Sequence, residues 1–119
     1  MPFIDTPIAG LQIFEPRLFG DERGYFMETY NEQTFAEAGI DAQFVQDNQA
    51  ASTRGVLRGM HLQEGAAAQA KLVRVISGEV FDVAVDLRPD SPTYHQWYGV
   101  MLSGENHRQL FVPRGFIHG

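Results

Sequence analysis

Cysteine is absent from the 119-residue sequence, and tryptophan occurs only once. Without cysteine, the chain can form neither a disulfide framework nor a metal site with thiolate ligands. Basic residues are scarce as well: 9 Lys and Arg stand against 15 Asp and Glu, which gives a formal net charge of -6. This charge disfavours nonspecific binding to nucleic acid, which needs a basic surface to neutralise phosphates. A few local arginines remain as candidates for holding one small anion.

Long apolar runs are also missing. No stretch approaches the length of a membrane span, and the N-terminus lacks the basic region and long apolar core of a signal peptide. These features predict a cytoplasmic protein that is not inserted in a membrane. With 44% hydrophobic and 20% charged residues, the chain has the composition and length of one globular domain with a single core.

Short apolar segments separated by glycine, proline and small polar residues predict many β-strands. Strands are expected at residues 11–14, 25–30, 43–48, 55–63, 71–76, 80–87, 94–102 and 109–112. One helix is expected over residues 32–38, because Asn31 can cap its N-terminus and Gly39 can end it. Many short strands with a single helix predict an all-β sandwich or barrel.

Residues suited to acid–base chemistry concentrate in segment 54–71. An ordinary histidine side chain changes charge near neutral pH, so His61 can remove a proton next to a carbonyl, while the ammonium of Lys71 can stabilise the developing enolate oxygen. The alternative is a core histidine bonded to backbone, with Lys71 reaching solvent along its apolar stem. Arg58 falls on the opposite strand face from His61 unless Gly59 supplies a bulge.

Three more polar residues are candidates for ligand binding. Arg23 stands in the turn at residues 20–24 and can clamp a phosphate, although a solvated turn residue is the alternative. Gln46 and Asn48 share one face of the predicted strand 43–48 and can hydrogen-bond a sugar or base, unless that face simply points to solvent.

Two aspartates share one face of the predicted strand 80–87. Asp82 and Asp86 lie on the same side as the small Ala84, so their carboxylates can orient a histidine or pair with Lys71. The alternative is that both carboxylates are exposed, and it is stronger for Asp86, which is near the end of the strand.

Two spacings resemble the cupin motifs. Gly55 precedes His61 by six positions and Gly78 follows Lys71 by seven, as in the first motif, while Pro113-x-Gly115-x-x-His118 resembles the second. In metal-binding cupins these slots hold His and Glu ligands, and here they hold His61, Gln63, Lys71 and His118. Because a lysine ammonium is a poor neighbour for a divalent cation, the resemblance implies a cupin-like jelly-roll barrel without a metal.

A more specific resemblance is to the dTDP-4-dehydrorhamnose 3,5-epimerase family. It is carried by segments 21–28, 46–48, 54–61, 69–75, 78–88 and 108–119, including Arg-Gly-Met-His at 58–61 and Pro-Arg-Gly-Phe-Ile-His-Gly at 113–119. These segments resemble the N-terminal and central part of the family. The resemblance therefore implies a single cupin-like epimerase domain over residues 1–119, expected to be C-terminally incomplete. The family's Tyr general acid and the Asp that partners its catalytic His would lie beyond Gly119.

The resemblance also implies a reaction and its residues. A dTDP-4-keto-6-deoxy-hexose would be epimerised at C3 and C5 in dTDP-L-rhamnose biosynthesis, without a cofactor, because the 4-keto group already acidifies the neighbouring protons. His61 would be the base and Lys71 would stabilise the enolate, with Asp82 as the third catalytic candidate. The implied substrate-binding residues are Arg23, Phe26, Glu28, Gln46, Asn48, Arg58 and His118. A homodimer is expected, in which the segment 20–30 reaches the partner's site.

Two alternatives remain open at the sequence level. A 3-only or 5-only epimerase, or a keto-isomerase of the same superfamily, would differ in how the sugar ring sits. A non-catalytic nucleotide-sugar binding module is favoured by the lack of an assignable Tyr general acid in this sequence and by Ala50 and Ala51, which replace polar residues usual in the family. Incorporation of solvent deuterium into the sugar separates these possibilities.

Overall fold

The computed structural model describes residues 2–59 and 70–119. These residues contain nine strands and one helix. The helix, α1 (Glu32–Glu37), lies between the fourth and fifth strands. The strands are β1 (Phe3–Asp5), β2 (Gln12–Phe14), β3 (Leu18–Asp21), β4 (Gly24–Met27), β5 (Lys71–Arg74), β6 (Glu79–Asp86), β7 (Trp97–Ser103), β8 (Gln109–Val112) and β9 (Phe116–His118).

Seven of these strands form two antiparallel sheets. The first has the order β1-β2-β8-β5 and the second has the order β7-β6-β9, while β3 and β4 form a separate hairpin. The register aligns Lys71 with Val112 in the first sheet and Ala84 with His118 in the second. Since β5 and β6 belong to different sheets, the chain passes from one sheet to the other between Arg74 and Glu79.

The main core lies between the two sheets. The first sheet contributes Ile13, Leu110 and Val112, and the second contributes Ala84, Val100, Leu102 and Phe116. Removing these apolar side chains from water is the main force that holds the sheets together. The prediction of an all-β sandwich with one short helix is therefore confirmed.

Helix α1 covers the outer face of the first sheet. Its buried residue, Phe35, packs against Phe14, Ile40 and Phe111 in a second apolar cluster. The side-chain oxygen of Asn31 accepts a hydrogen bond of 3.1 Å from the backbone N–H of Thr34, and so caps the helix as predicted. The six-residue helix is far too short to cross a membrane, and the part of the chain described here contains no membrane-spanning helix.

Two predicted strands are wrong within the described residues. Residues 43–48 and 55–59 form neither strand nor helix, and the remainder of the predicted strand 55–63 lies outside the described residues. Leu57 is 93% exposed, so the apolar residues of this segment have no sheet face to pack against. The predicted strands 25–30 and 94–102 are also too long, since β4 ends at Met27 and β7 begins at Trp97.

Strand β6 turns both of its aspartates toward the core. Asp82 is 4% exposed and Asp86 is fully buried, whereas Phe81 on the opposite face is 56% exposed. The interpretation that the aspartates face solvent is therefore wrong, above all for Asp86. Small Ala84 between them contacts the inter-sheet core, which leaves room for the two carboxylates on that face.

Candidate active site

Strands β6 and β9 bring a carboxylate and an imidazole together. The Nδ1 atom of His118 lies 3.2 Å from Oδ1 of Asp82. The register places His118 beside Ala84, so its side chain projects from the inner face of the second sheet, as that of Asp82 does. The His118 side chain is 16% exposed. Asp82 thus orients a histidine, one of the two roles considered for its carboxylate, and the partner is His118.

Lys71 faces the same space from the opposite sheet. Its register partner, Val112, belongs to the inter-sheet core, and Val73, two residues further along β5, packs against that core as well. Side chains alternate along a strand, so the half-buried side chain of Lys71 lies on the inner face of the first sheet. Lys71 and the Asp82–His118 pair therefore occupy facing walls of the sandwich. Among the described residues, none of the ion pairs involves Lys71.

Gly59 packs the segment before His61 against the end of β9. A Cβ atom at Gly59 would lie 2.7 Å from Cα of Gly119 and 3.4 Å from the carbonyl oxygen of His118. The φ angle of +135° is also one that favours glycine. No sequence signal points to this contact, which joins positions 60 residues apart. His61 and Gln63 lie outside the described residues, so the proposed role of His61 stays a prediction.

Three predicted binding residues lie in the irregular segment before Gly59. Gln46 donates a hydrogen bond of 3.3 Å from Nε2 to Oδ1 of Asn48, although the strand face that these two carboxamides were expected to share does not form. Arg58 donates from Nε to Oγ of Ser52 at 2.8 Å. All three side chains are exposed. Arg58 is not in a strand, and the parity argument that set it opposite His61 does not apply.

The remaining candidates lie on the β3–β4 hairpin. Arg23 stands at its turn and donates to Asp21, with Nη2 2.7 Å from Oδ2. The side-chain and backbone hydrogen bonds from Arg23 lower the pKa of Asp21. Phe26 in β4 and Glu28 just after it are exposed. Within the part of the chain that the structure describes, no hydrogen bond or ion pair joins these residues to Lys71, Asp82 or His118.

A polar network around Asp86 was not predicted. Its carboxylate accepts hydrogen bonds from the backbone and guanidinium of Arg88 and from the hydroxyls of Ser91 and Thr93. Burial by itself raises the pKa of Asp86, but these hydrogen bonds together outweigh burial and hold the pKa below its usual range. The network could have been found from a sequence signal. Its members stand close together around a Pro-rich turn, at Asp86, Arg88, Ser91 and Thr93.

The groups between the two sheets are suited to proton transfer next to a developing oxyanion. An imidazole held by a carboxylate faces an ammonium, and such groups can move a proton and stabilise a developing oxyanion. Within residues 2–59 and 70–119, no cluster of three His, Asp or Glu side chains could hold a metal ion.

The model of the dTDP-4-dehydrorhamnose 3,5-epimerase family matches residues 5–119 of this chain. The chain belongs to this family. The epimerase of Methanothermobacter thermautotrophicus is 59% identical over 98% of the chain. The chain spans 63% of the length of that relative.

Two solved structures of this epimerase family confirm the cupin-like jelly roll. The crystal structure of dTDP-4-dehydrorhamnose 3,5-epimerase from Elizabethkingia anophelis gives a TM-score of 0.93 at 55% identity, covering 98% of this chain and 64% of that one. A Legionella pneumophila epimerase, solved in complex with dTDP-4-keto-L-rhamnose, gives a TM-score of 0.92 at 53% identity, covering 98% of this chain and 62% of that one. The sequence resemblance to the family is therefore confirmed along nearly all of the chain.

Proposed function

We propose that the protein epimerises a dTDP-4-keto-6-deoxy-hexose at C3 and C5, the reaction that leads to dTDP-L-rhamnose, with residues 1–119 acting as one cupin-like domain. The observation that carries the proposal is the position of Lys71 opposite the Asp82–His118 pair, between the two sheets of the epimerase fold. The Legionella relative, solved with dTDP-4-keto-L-rhamnose, supports the substrate class.

The reaction proceeds by enolisation. His61 removes the proton next to the C4 ketone, and the ammonium of Lys71 stabilises the negative charge that moves onto the ketone oxygen. A second acid, the role that the family resemblance gives to a tyrosine, then returns a proton to the opposite face of the same carbon, which inverts that carbon and restores the ketone. The same ketone acidifies both neighbouring carbons, so no cofactor or metal is required. Asp82 and His118 line the opposite wall, and Arg58, Gln46 and Asn48 are assigned to the sugar and phosphates.

Solvent deuterium is the direct test of this activity. The protein is incubated with the 4-keto sugar nucleotide in D₂O, and the labelled carbons are identified by NMR. Label at both C3 and C5, together with the epimerised product, supports the proposal. Label at one carbon alone would make the protein a monoepimerase, and binding without any label would make it a nucleotide-sugar binding module.

His61→Asn tests the assignment of the base. Asn keeps a similar size but cannot accept the proton, so exchange should fall by roughly 10²–10⁴-fold while dTDP binding changes little. His95→Asn is the matched control, because His95 is exposed and adopts a φ angle of 71° that Asn tolerates. The base assignment fails if both variants exchange protons at the original rate.

We also propose a homodimer in which the β3–β4 hairpin of one subunit supplies Arg23, Phe26 and Glu28 to the site of the other. The hairpin is a separate two-stranded sheet, and its register partners Phe19 and Phe26 are both exposed and lie side by side on one face. Exposed apolar patches of this kind mark contact surfaces in many proteins. A second subunit would cover them and complete the anion site.

Mixing inactive variants tests this shared site. Arg23→Ala and His61→Asn chains, unfolded and refolded together, should recover activity, because some dimers then contain one intact site. A mixture of Lys71→Ala and His61→Asn serves as the control, since both changes fall in the same half of the site. Recovery in neither mixture, with dimers present, would show that each site is built from one chain.

The proposed location is the cytoplasm. The proposed substrate is an anionic nucleotide sugar and not a lipid, and the net charge of -6 does not favour nucleic acid as a partner. Cell fractionation with an antibody against the chain measures this, and recovery in the membrane fraction would contradict it.

A further inference from the structure

The two buried aspartates of β6 are bonded very differently. Asp86 accepts hydrogen bonds from three residues of the turn that follows β6, so its carboxylate stabilises the fold. Asp82, four residues earlier on the same face, is nearly as buried, and its described hydrogen bond is the one with His118. A buried carboxylate costs stability unless its partners compensate for the lost water. The hydrogen bond with His118 is therefore the described contact that compensates for the burial of Asp82.

The contact decides which ring nitrogen of His118 carries a proton. A carboxylate only accepts hydrogen bonds, so Nδ1 has to be the protonated nitrogen at the 3.2 Å contact with Oδ1. In a neutral imidazole the other nitrogen, Nε2, is then a hydrogen-bond acceptor. It lies on the edge of the ring away from Asp82, and the ring projects from the sheet face that Lys71 opposes.

We propose that Asp82 is a positioning residue, which holds His118 in the Nδ1–H tautomer and presents Nε2 to a hydroxyl group of the bound hexose. The proposal rests on the proposed function for the identity of the ligand. Lys71 on the first sheet donates a hydrogen bond, which a ketone oxygen can accept. Nε2 of His118 on the second sheet accepts a hydrogen bond, which a hydroxyl can donate but a ketone cannot. The two sheets together therefore distinguish a ketone oxygen from a hydroxyl. Asp82 itself does not touch the sugar, and its effect on binding passes through the imidazole.

The tautomer is measured first, on the unmodified protein. Long-range ¹H–¹⁵N correlation spectra distinguish a protonated from an unprotonated ring nitrogen, and His118→Asn identifies the His118 signals. At a pH where the ring is neutral, Nδ1 should be protonated and Nε2 should not. A ring protonated at Nε2 would overturn the proposal, whatever the protein's activity. In Ser91→Ala, which removes a partner of Asp86 instead, the His118 signals should be unchanged.

Binding is measured next, with ligands that cannot enolise. dTDP-glucose carries the hexose without a ketone, and dTDP lacks the hexose altogether. Asp82→Asn allows the ring to adopt either tautomer, so Kd for dTDP-glucose should rise about fivefold to tenfold, the value of one hydrogen bond. Kd for dTDP should stay unchanged. Equal losses for both ligands would indicate a general structural defect and would contradict the proposal. Since neither ligand reacts, the result does not depend on epimerase activity.

A double-mutant cycle shows whether Asp82 acts through His118. His118→Asn retains a donor near the Nδ1 position but has no group at the Nε2 position. If Asp82 acts through the imidazole, adding Asp82→Asn to His118→Asn should not weaken dTDP-glucose binding further. Additive losses would mean that Asp82 contributes independently, and they would refute the positioning role. If Asp82→Asn does not fold, the tautomer of the unmodified protein still decides the proposal.

Discussion

Asp86 is fully buried, yet its carboxylate is bonded to Arg88, Ser91 and Thr93. Arg88 also donates to the carbonyl oxygen of Ala9 at 2.8 Å and lies over the ring of Phe116, 4.8 Å from its centroid. One charged pair thus ties the N-terminal segment and the start of β9 to the end of β6. Among the polar contacts described, this pair should be the one whose removal lowers the free energy of unfolding most.

We expect Asp86→Ala to lower the free energy of unfolding by about 3 kcal/mol, because it leaves the partly buried Arg88 and two hydroxyls without their acceptor. Urea denaturation measures the loss. Asp90→Ala is the matched control, since Asp90 is exposed in the same turn, and it should change stability by less than about 0.5 kcal/mol. Equal losses in the two variants would show that the network contributes little.

Acid should weaken the same contact. The folded state lowers the pKa of Asp86, so the unfolded state binds a proton more readily and the charged carboxylate stabilises the fold. This contribution is complete above the unfolded pKa of about 3.9 and is lost as the pH falls below it toward the folded value. The urea midpoint should therefore drop more steeply below about pH 4 in the parent protein than in Asp86→Asn. Parallel curves would contradict the assignment.

Strand β9 is the element that links the fold to the site. It carries His118, and Gly59 packs against its end without space for a side chain. Gly55 provides a comparison, because its φ angle of +90° also favours glycine but a Cβ there would meet no atom of residues 2–59 and 70–119 within 4 Å.

Gly55→Ala and Gly59→Ala should each lose about 1–2 kcal/mol of stability from the unfavourable φ angle. Gly59→Ala should in addition displace the end of β9, and only this variant should weaken dTDP-glucose binding or slow epimerisation. Calorimetry measures the loss of stability on unfolding and the binding of dTDP-glucose, and the deuterium assay measures the rate of epimerisation. Similar binding by both variants would show that the Gly59 contact does not influence the site.

The two sheets are held together by apolar side chains. Leu110 of the first sheet is fully buried and belongs to the cluster that includes Val100 and Leu102 of the second. Leu110→Ala should lower the free energy of unfolding by about 2–5 kcal/mol, from lost burial and the cavity left behind. Leu57→Ala, at an exposed position, should have little effect. A small loss for Leu110→Ala would mean that the sheets pack less tightly than described.

Local signals in the sequence were sufficient for several elements. The side chain of Asn31 and the glycine at position 39 delimit α1, and the predicted strand 109–112 coincides with β8. These signals work because capping and strand alternation involve residues close together in the chain. The six segments 21–28, 46–48, 54–61, 69–75, 78–88 and 108–119 were together sufficient to recognise the epimerase family.

The sequence by itself therefore determined the all-β class, the helix and the family, since each depends on local chemistry or on motif spacing. Only the tertiary structure decided that β6 turns Asp82 and Asp86 inward, because the alternation of a strand does not say which face meets another sheet. It also left residues 43–48 without a sheet partner. The Asp82–His118 contact and the position of Lys71 opposite it depend on which strands pair and which sheets pack, and these contacts join residues far apart in the sequence.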